Sequence, residues 1–146
     1  IPPVNERIPP YQIKLASGLK MKATPDKIKK EVVGIHFEPE TPDGKIELEF
    51  GVEESGTYKI SAVLVDDIFG GVYQPFVDDQ PAGPILDMVS NGGDWSEYNF
   101  GVFKLNQGLH KFKLQGKGAS PNRRPSLPEK YSVGISSLIL LRLEDL

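Results

Sequence analysis

The side chains able to do chemistry fall between the apolar runs of this chain. Acidic pairs stand at Glu53-Glu54, Asp66-Asp67 and Asp78-Asp79, and Asp94 lies three residues before Glu97. Two carboxyls facing each other across a sugar ring would supply the acid and base of glycoside hydrolysis. Turn aspartates commonly accept hydrogen bonds from nearby backbone instead. No facing pair is legible, so no catalytic residue is assigned and the chain reads as a non-enzyme. It has no G-x-S-x-G elbow and no H-E-x-x-H pair. Its only histidines, His36 and His110, lie inside strand-like runs. His110 shares the phase of Phe112 and Leu114, and both histidines read as core residues rather than metal ligands. Cysteine is absent, which excludes disulfides, thiolate zinc sites and a cysteine nucleophile. The Asp66-Asp67 loop offers oxygen ligands for a structural calcium, but no D-x-D-x-D-G run accompanies it. No cofactor is expected.

A second group mixes rings with planar polar side chains: Asp66, Asp67, Phe69, Asn91, Asp94, Trp95, Glu97, Tyr98, Asn122, Arg123, Arg124 and Tyr131. Sugars need that mixture, because their C–H faces stack on aromatic rings while their hydroxyls take polar groups. Trp95 is the only tryptophan and follows Asn91-Gly92-Gly93-Asp94, which reads as a loop. The residues expected to bind ligand are Trp95 and Tyr98 by stacking, Asp66, Asp67 and Asp94 as acceptors, and Asn122 and Arg123 as donors. Asn122-Arg123-Arg124 would also grip an anion or an acidic sugar. The alternatives are that Trp95 caps the end of the fold and that the arginines are solvated.

These residues need a frame, and the frame is written in period two. Ile46, Leu48 and Phe50 alternate with Lys45, Glu47 and Glu49, and Tyr58 through Leu64 and His110 through Leu114 repeat the pattern. Residues 133–143 are apolar on both faces, which marks a central strand. Further strands are expected at 12–20, 32–37, 72–77, 82–87 and 99–105. Helical patterning is confined to Thr24-Pro25 and the residues to Glu31, enough for one turn. The chain is therefore expected to be all-β, an antiparallel two-sheet sandwich of eight or nine strands.

In an antiparallel fold successive loops alternate between the two ends. From residue 38 onward the connections run 38–44, 53–56, 66–71, 78–81, 88–98, 106–108 and 116–130. Every long one falls on one end and every tight one on the other. The expected binding residues all belong to the long-loop end, where a rigid sandwich usually carries function.

The chain has 146 residues, 15 glycines and 13 prolines, with 17 basic and 20 acidic side chains for a net charge of −3. One jelly-roll domain over residues 12–146 is expected, after a proline-rich lead-in or linker at 1–11. The net charge argues against a nucleic-acid partner. No apolar run is long enough to insert in a membrane. The chain begins at Ile1, which suggests a processed product and leaves a removed export signal open.

Six stretches carry a resemblance. They are Gly56-Thr57-Tyr58-Lys59-Ile60, then Tyr73-Gln74-Pro75-Phe76-Val77-Asp78-Asp79 and Gly83-Pro84-Ile85-Leu86-Asp87, then Gly101-Val102-Phe103-Lys104-Leu105, Gly108-Leu109-His110-Lys111-Phe112 and Val133-Gly134-Ile135-Ser136-Ser137-Leu138. In this order they resemble the galactose-binding-like jelly-roll modules attached to secreted bacterial glycoside hydrolases. The nearest likeness is to the C-terminal module of difructose-anhydride-hydrolase-like proteins. Those modules usually have Asp-Gly where this chain has Asp78-Asp79, and an aspartate where Ser136 stands. The resemblance implies a jelly roll, a secreted, periplasmic or cell-surface location, and a carbohydrate-linked context. It supplies no ligand residues. Two functions follow: a non-catalytic module binding an oligo- or polysaccharide at the long-loop end, or an accessory domain packing on a catalytic domain or partner protein.

Overall fold

The structure, a computed structural model, describes residues 12–14, 20–24, 28–31 and 34–145. The expected lead-in at 1–11 lies outside the described residues. Two antiparallel sheets face each other. The first runs β10 (Trp95–Leu105), β6 (Gly56–Val65), β12 (Val133–Arg142), β4 (Gly34–Phe37) and β3 (Ile28–Glu31), with β1 (Gln12–Lys14) also paired to β12. The second runs β2 (Lys20–Thr24), β5 (Lys45–Val52), β11 (Gly108–Ala119), β7 (Gly71–Val77) and β8 (Gln80–Pro81), with β9 (Leu86–Asp87) against β7. Nine of these strands have four residues or more. The chain is all-β in the described residues, apart from one 3-10 turn at Leu143–Asp145.

Alternation decides what is buried. Ile46, Leu48, Phe50 and Val52 of β5 meet Phe112 and Leu114 of β11 and Tyr73 and Val77 of β7 in one core. The first sheet supplies Tyr58, Ile60, Ala62 and Leu64 of β6 with Val133, Ile135, Leu138 and Leu140 of β12. Burying such side chains contributes roughly 1.5–3 kcal/mol each before entropy is counted. The residues between them, such as Lys45, Glu47 and Glu49, keep partial contact with water. β12 is central, as its two apolar faces required, with β6 on one edge and β4 and β1 sharing the other.

Four local expectations are corrected. Ile28–Glu31, read as part of a helical turn, is β3, because the free edge of β4 offers a full set of backbone partners. Of the expected strand at 82–87 only Leu86–Asp87 pairs regularly, while the Ala82 amide bonds to the Pro75 carbonyl. β10 starts at Trp95, four residues before the expected 99, since β6 continues to Val65 and pairs with it. His36 is not a core residue. It lies between the inward Ile35 and Phe37 of β4, so period two turns it to the outer face.

The tight connections do gather at one end. The Gln107 amide donates to Ser55 Oγ at 2.7 Å, and Arg142 Nη2 donates to the Ser55 carbonyl at 3.1 Å. Asp78 and Asp79 both have positive φ, +47° and +64°, which the two-residue turn between β7 and β8 requires. The Asp78 carboxylate then reaches across to β11, accepting from the Lys111 amide at 2.8 Å and from His110 Nδ1 at 2.5 Å. His110 Nε2 donates to the Asn106 carbonyl at 2.6 Å, and the ring stacks on Phe50. His110 thus packs on the core as its phase predicts.

Both nitrogens of His110 face acceptors, which only the imidazolium satisfies. Burial opposes that charge, but the bonds to Asn106 and Asp78 outweigh it and hold the pKa above the ordinary 6.5. The resulting stability is complete below 6.5 and is lost as pH rises through the higher folded value. Urea midpoints are therefore expected to fall between about pH 6 and pH 8, and His110→Gln to remove most of that slope. Equal slopes in the two proteins would show that this clasp is uncoupled from folding.

Candidate functional site

The loops 38–44, 66–70, 88–94 and 120–132 meet at the opposite end. Two adjacent aspartates knit them. Asp66 Oδ1 accepts from Ser90 Oγ at 2.8 Å and from the Asp94 amide at 3.0 Å, while the Asp66 amide bonds to the Asp94 carbonyl. Asp67 Oδ1 accepts from its own turn, the Phe69 amide, and from Ser132 Oγ, each at 2.8 Å. The Asp67 amide donates to the Met88 carbonyl, and the Asp67 carbonyl accepts from the Ser90 amide. The loops pass so closely that a Cβ on Gly70 would stand 1.6 Å from the Met88 carbonyl oxygen, so only glycine fits there. The longest loop is pinned by Tyr73, whose hydroxyl donates to the Tyr131 carbonyl from inside the core. Asn122 Nδ2 and Ser120 Oγ both bond to Asp87 Oδ2 at 2.9 Å.

Trp95 emerges from this knot with 53% of its surface exposed. It is paired to Val65 and forms one wall of a shallow depression of about 60 Å³ on the outer face of the first sheet. Gly34, Ile35, His36, Val65 and the segment from Gly134 to Ser136 line the rest. His36 Nε2 lies 3.2 Å from Glu38 Oε2, and Glu38 Oε1 lies 3.1 Å from Lys130 Nζ, which stands over the Phe69 ring. Burial raises the pKa of Glu38, but its bonds to Lys130 and His36 and the Lys130 charge prevail and leave it below the ordinary value.

The backbone arrangement recurs in known proteins. A xanthan lyase from Paenibacillus superposes on 91% of this chain with a TM-score of 0.70 and 16% identity; the chain spans 13% of that protein's length. A family 35 carbohydrate-binding module from Clostridium thermocellum matches 90% of the chain and 98% of its own, with a TM-score of 0.55 and 14% identity. The C-terminal family 6 carbohydrate-binding module of the laminarinase LamC from Zobellia galactanivorans gives 90% and 98%, a TM-score of 0.53 and 16% identity. The chain has the jelly-roll fold of such modules. No protein-family model and no curated protein sequence matches it.

Within this jelly roll the expected binding residues share an end but do not share a surface. Trp95 and Tyr98 are three residues apart in one strand and face opposite ways: Trp95 pairs with outward Val65, Tyr98 with buried Ala62. Tyr98 packs against the core, where burial and the nearby Asp66 charge raise its pKa. Asp66 and Asp67 hold loops, Asn122 holds Asp87, and Arg123 lies 3.6 Å from Glu129 Oε1. Asp94 contributes its backbone to the Asp66 clasp and keeps an exposed side chain, and Arg124 Nη2 donates to Asn91 Oδ1 at 3.0 Å. Among the described residues no group of three or more His, Asp or Glu side chains is placed to hold a metal ion. No helix there is long and apolar enough to cross a membrane. The residue that sequence reasoning missed is His36. The alternation of His36 with Ile35 and Phe37 was the signal that would have turned it outward.

Asp66 is thus a structural clasp for the segment that carries Trp95. Asp66→Ala is expected to lower stability by about 1–3 kcal/mol, because the Asp94 amide loses its acceptor and the Ser90 hydroxyl keeps only the Gly92 carbonyl. Urea unfolding and amide exchange at Asp94 read this directly; unchanged values would return Asp66 to the list of groups free to meet a ligand.

Proposed function

We propose that this protein is a non-catalytic carbohydrate-binding module that takes glycan at the long-loop end of its sandwich. One observation carries the reading: a single indole, over half exposed, is held by a hydrogen-bonded loop beside an open depression. Exposing so much aromatic surface forfeits burial, and stacking on the C–H face of a sugar recovers it. The jelly-roll neighbours supply the context. They include domains within a xanthan lyase, a β-(1,4)-mannanase and an exo-β-1,3-galactanase, besides the free-standing modules. Residues 12–146 form one module in this reading, with 1–11 as the lead-in to a catalytic domain, in a secreted, periplasmic or cell-surface protein. The finer kinship with the C-terminal module of difructose-anhydride-hydrolase-like proteins belongs to the same proposal and rests on the sequence features between Gly56 and Leu138. No cofactor takes part.

A second reading is favoured by a different observation. Asp66, Asp67, Asn122 and Arg123 are all engaged within the protein, as in an accessory domain whose loops serve only to be rigid. The two readings divide on Trp95. Its fluorescence is followed while mannohexaose, laminarihexaose, β-1,3-galactotriose and xanthan oligosaccharides are titrated. A saturable shift with a dissociation constant on the order of micromolar to millimolar is expected for one of them. Trp95→Ala should weaken that binding about tenfold or more, since one stacked ring supplies roughly 1.5 kcal/mol beyond its burial. Equal affinity in the variant would remove Trp95 from the site, and no binding to any probe would leave the accessory-domain reading in its place.

A further inference from the structure

The long-loop end does not stop at the loops. Trp95 on β10, Val65 on β6, Gly134 on β12 and His36 on β4 stand in one unbroken cross-strand row, each the registered partner of the next. Registered partners in antiparallel strands project to the same face, and here that face is the outer one. The row begins with an indole, dips at a glycine and ends with an imidazole. Gly134 has no room for anything larger, since its Cβ would stand 2.8 Å from that of Val65. Beside it Ser136 is the extra residue of a bulge between Ile135 and Ser137, and bulges commonly re-aim a side chain. Gly34 makes the bulge possible: a Cβ there would meet the Ile135 carbonyl at 2.2 Å and Ser136 Cα at 2.8 Å.

The polar side of this depression has a defined donor pattern. Glu38 only accepts, so the proton of neutral His36 is on Nε2, which faces it at 3.2 Å. That leaves Nδ1 as an acceptor, and it has no hydrogen-bond partner among the described residues. The hydroxyl of Ser136 is likewise without one. An acceptor and a hydroxyl beside an indole face suit a sugar hydroxyl, which can donate to one and accept from the other, whereas a carboxylate or sulfate cannot donate to Nδ1.

We propose that His36 is a ligand-contacting residue, and that a neutral sugar unit rests on Trp95 and donates a hydroxyl hydrogen bond to His36 Nδ1. The site is then a patch of the outer face of the first sheet. Glu38 is a positioning residue that fixes the imidazole tautomer, and Lys130 holds Glu38. The inference rests on the glycan-binding reading of the same end, and its test separates the two.

The chain has only two histidines, and His110 at the opposite end is a built-in control. Protein labelled with ¹⁵N at histidine is titrated with mannohexaose, laminarihexaose and β-1,3-galactotriose, and separately with trigalacturonic acid. Before any sugar is added, the neutral form of His36 should carry its proton on Nε2. The neutral oligosaccharide that shifts Trp95 fluorescence should move His36 Nδ1 with the same midpoint and leave His110 unmoved. His36→Ala should weaken that binding about three- to tenfold, the effect of one neutral hydrogen bond. His36→Gln, which keeps an acceptor, should lose less, and parent-like urea midpoints exclude misfolding as the cause. A Trp95 response with His36 unmoved overturns the inference and leaves glycan binding intact. Tighter binding of trigalacturonic acid with His36 shifted overturns the neutral-sugar assignment. No response of either residue to any probe removes both proposals.

Discussion

Loops can be packed against one another only if their polar groups find partners, and at the long-loop end two adjacent carboxylates take the Phe69 and Asp94 amides and the Ser90 and Ser132 hydroxyls. Asp66 and Asp67 follow β6 directly, so their positions are set by a central, fully registered strand. From there their carboxylates reach the 88–94 loop, the Phe69 turn and Ser132 at the end of the 120–132 loop. Each of these groups would otherwise lose its bonds to water without replacement, a loss comparable to a hydrogen bond apiece. The clasp therefore decides where Trp95 begins β10, which face the indole takes, and whether a depression exists beside it.

The two ends solve the same problem differently. At the tight-turn end the connections are two or three residues long, and the hydrogen bonds stitch neighbouring turns: His110 to Asp78 and Asn106, Gln107 to Ser55, Glu144 to the Thr57 amide. That leaves little concave surface. At the long-loop end the bonds run inward, from Tyr73 to Tyr131 and from Asp67 to Ser132, so the loops fold back on the sandwich rather than project from it. The exposed groups are then displaced onto the margin of the first sheet.

How much of this was legible follows from range. Alternation is local, so the strands at Ile46–Phe50, Tyr58–Leu64 and His110–Leu114 and the central position of Val133–Arg142 could be read directly, and loop parity followed from them. The start of β10 could not, because Gly92-Gly93-Asp94-Trp95 has turn composition and becomes strand only where Val65 is there to pair. Nor could the work of Asp66, Asp67 and Asn122. Whether a carboxylate or amide faces solvent or a backbone amide depends on a segment some 24 to 65 residues away, and no short-range pattern carries that. His36 is a different failure. Its outward phase is present in the residues, but the apolar neighbours Ile35 and Phe37 suggest the core unless period two is applied to each position.

Tyr98 shows why period has to be applied strictly. Composition groups it with Trp95 as a second stacking ring, yet a separation of three residues in a strand places them on opposite faces. The bulge at Phe100 comes after both and cannot reverse this; it instead turns Phe100 onto Phe112, 4.9 Å between centroids, and keeps that end of β10 on the core. A shared surface for Trp95 has to be sought across the strands, not along its own, and the residues found there are small. Gly134 and Gly34 are required by close backbone and side-chain approach whatever the protein binds. The hollow between Trp95 and His36 is thus a by-product of how β4, β12 and β6 pack, and a large ring on one margin and a polar ring on the other make it a place where a sugar can be held.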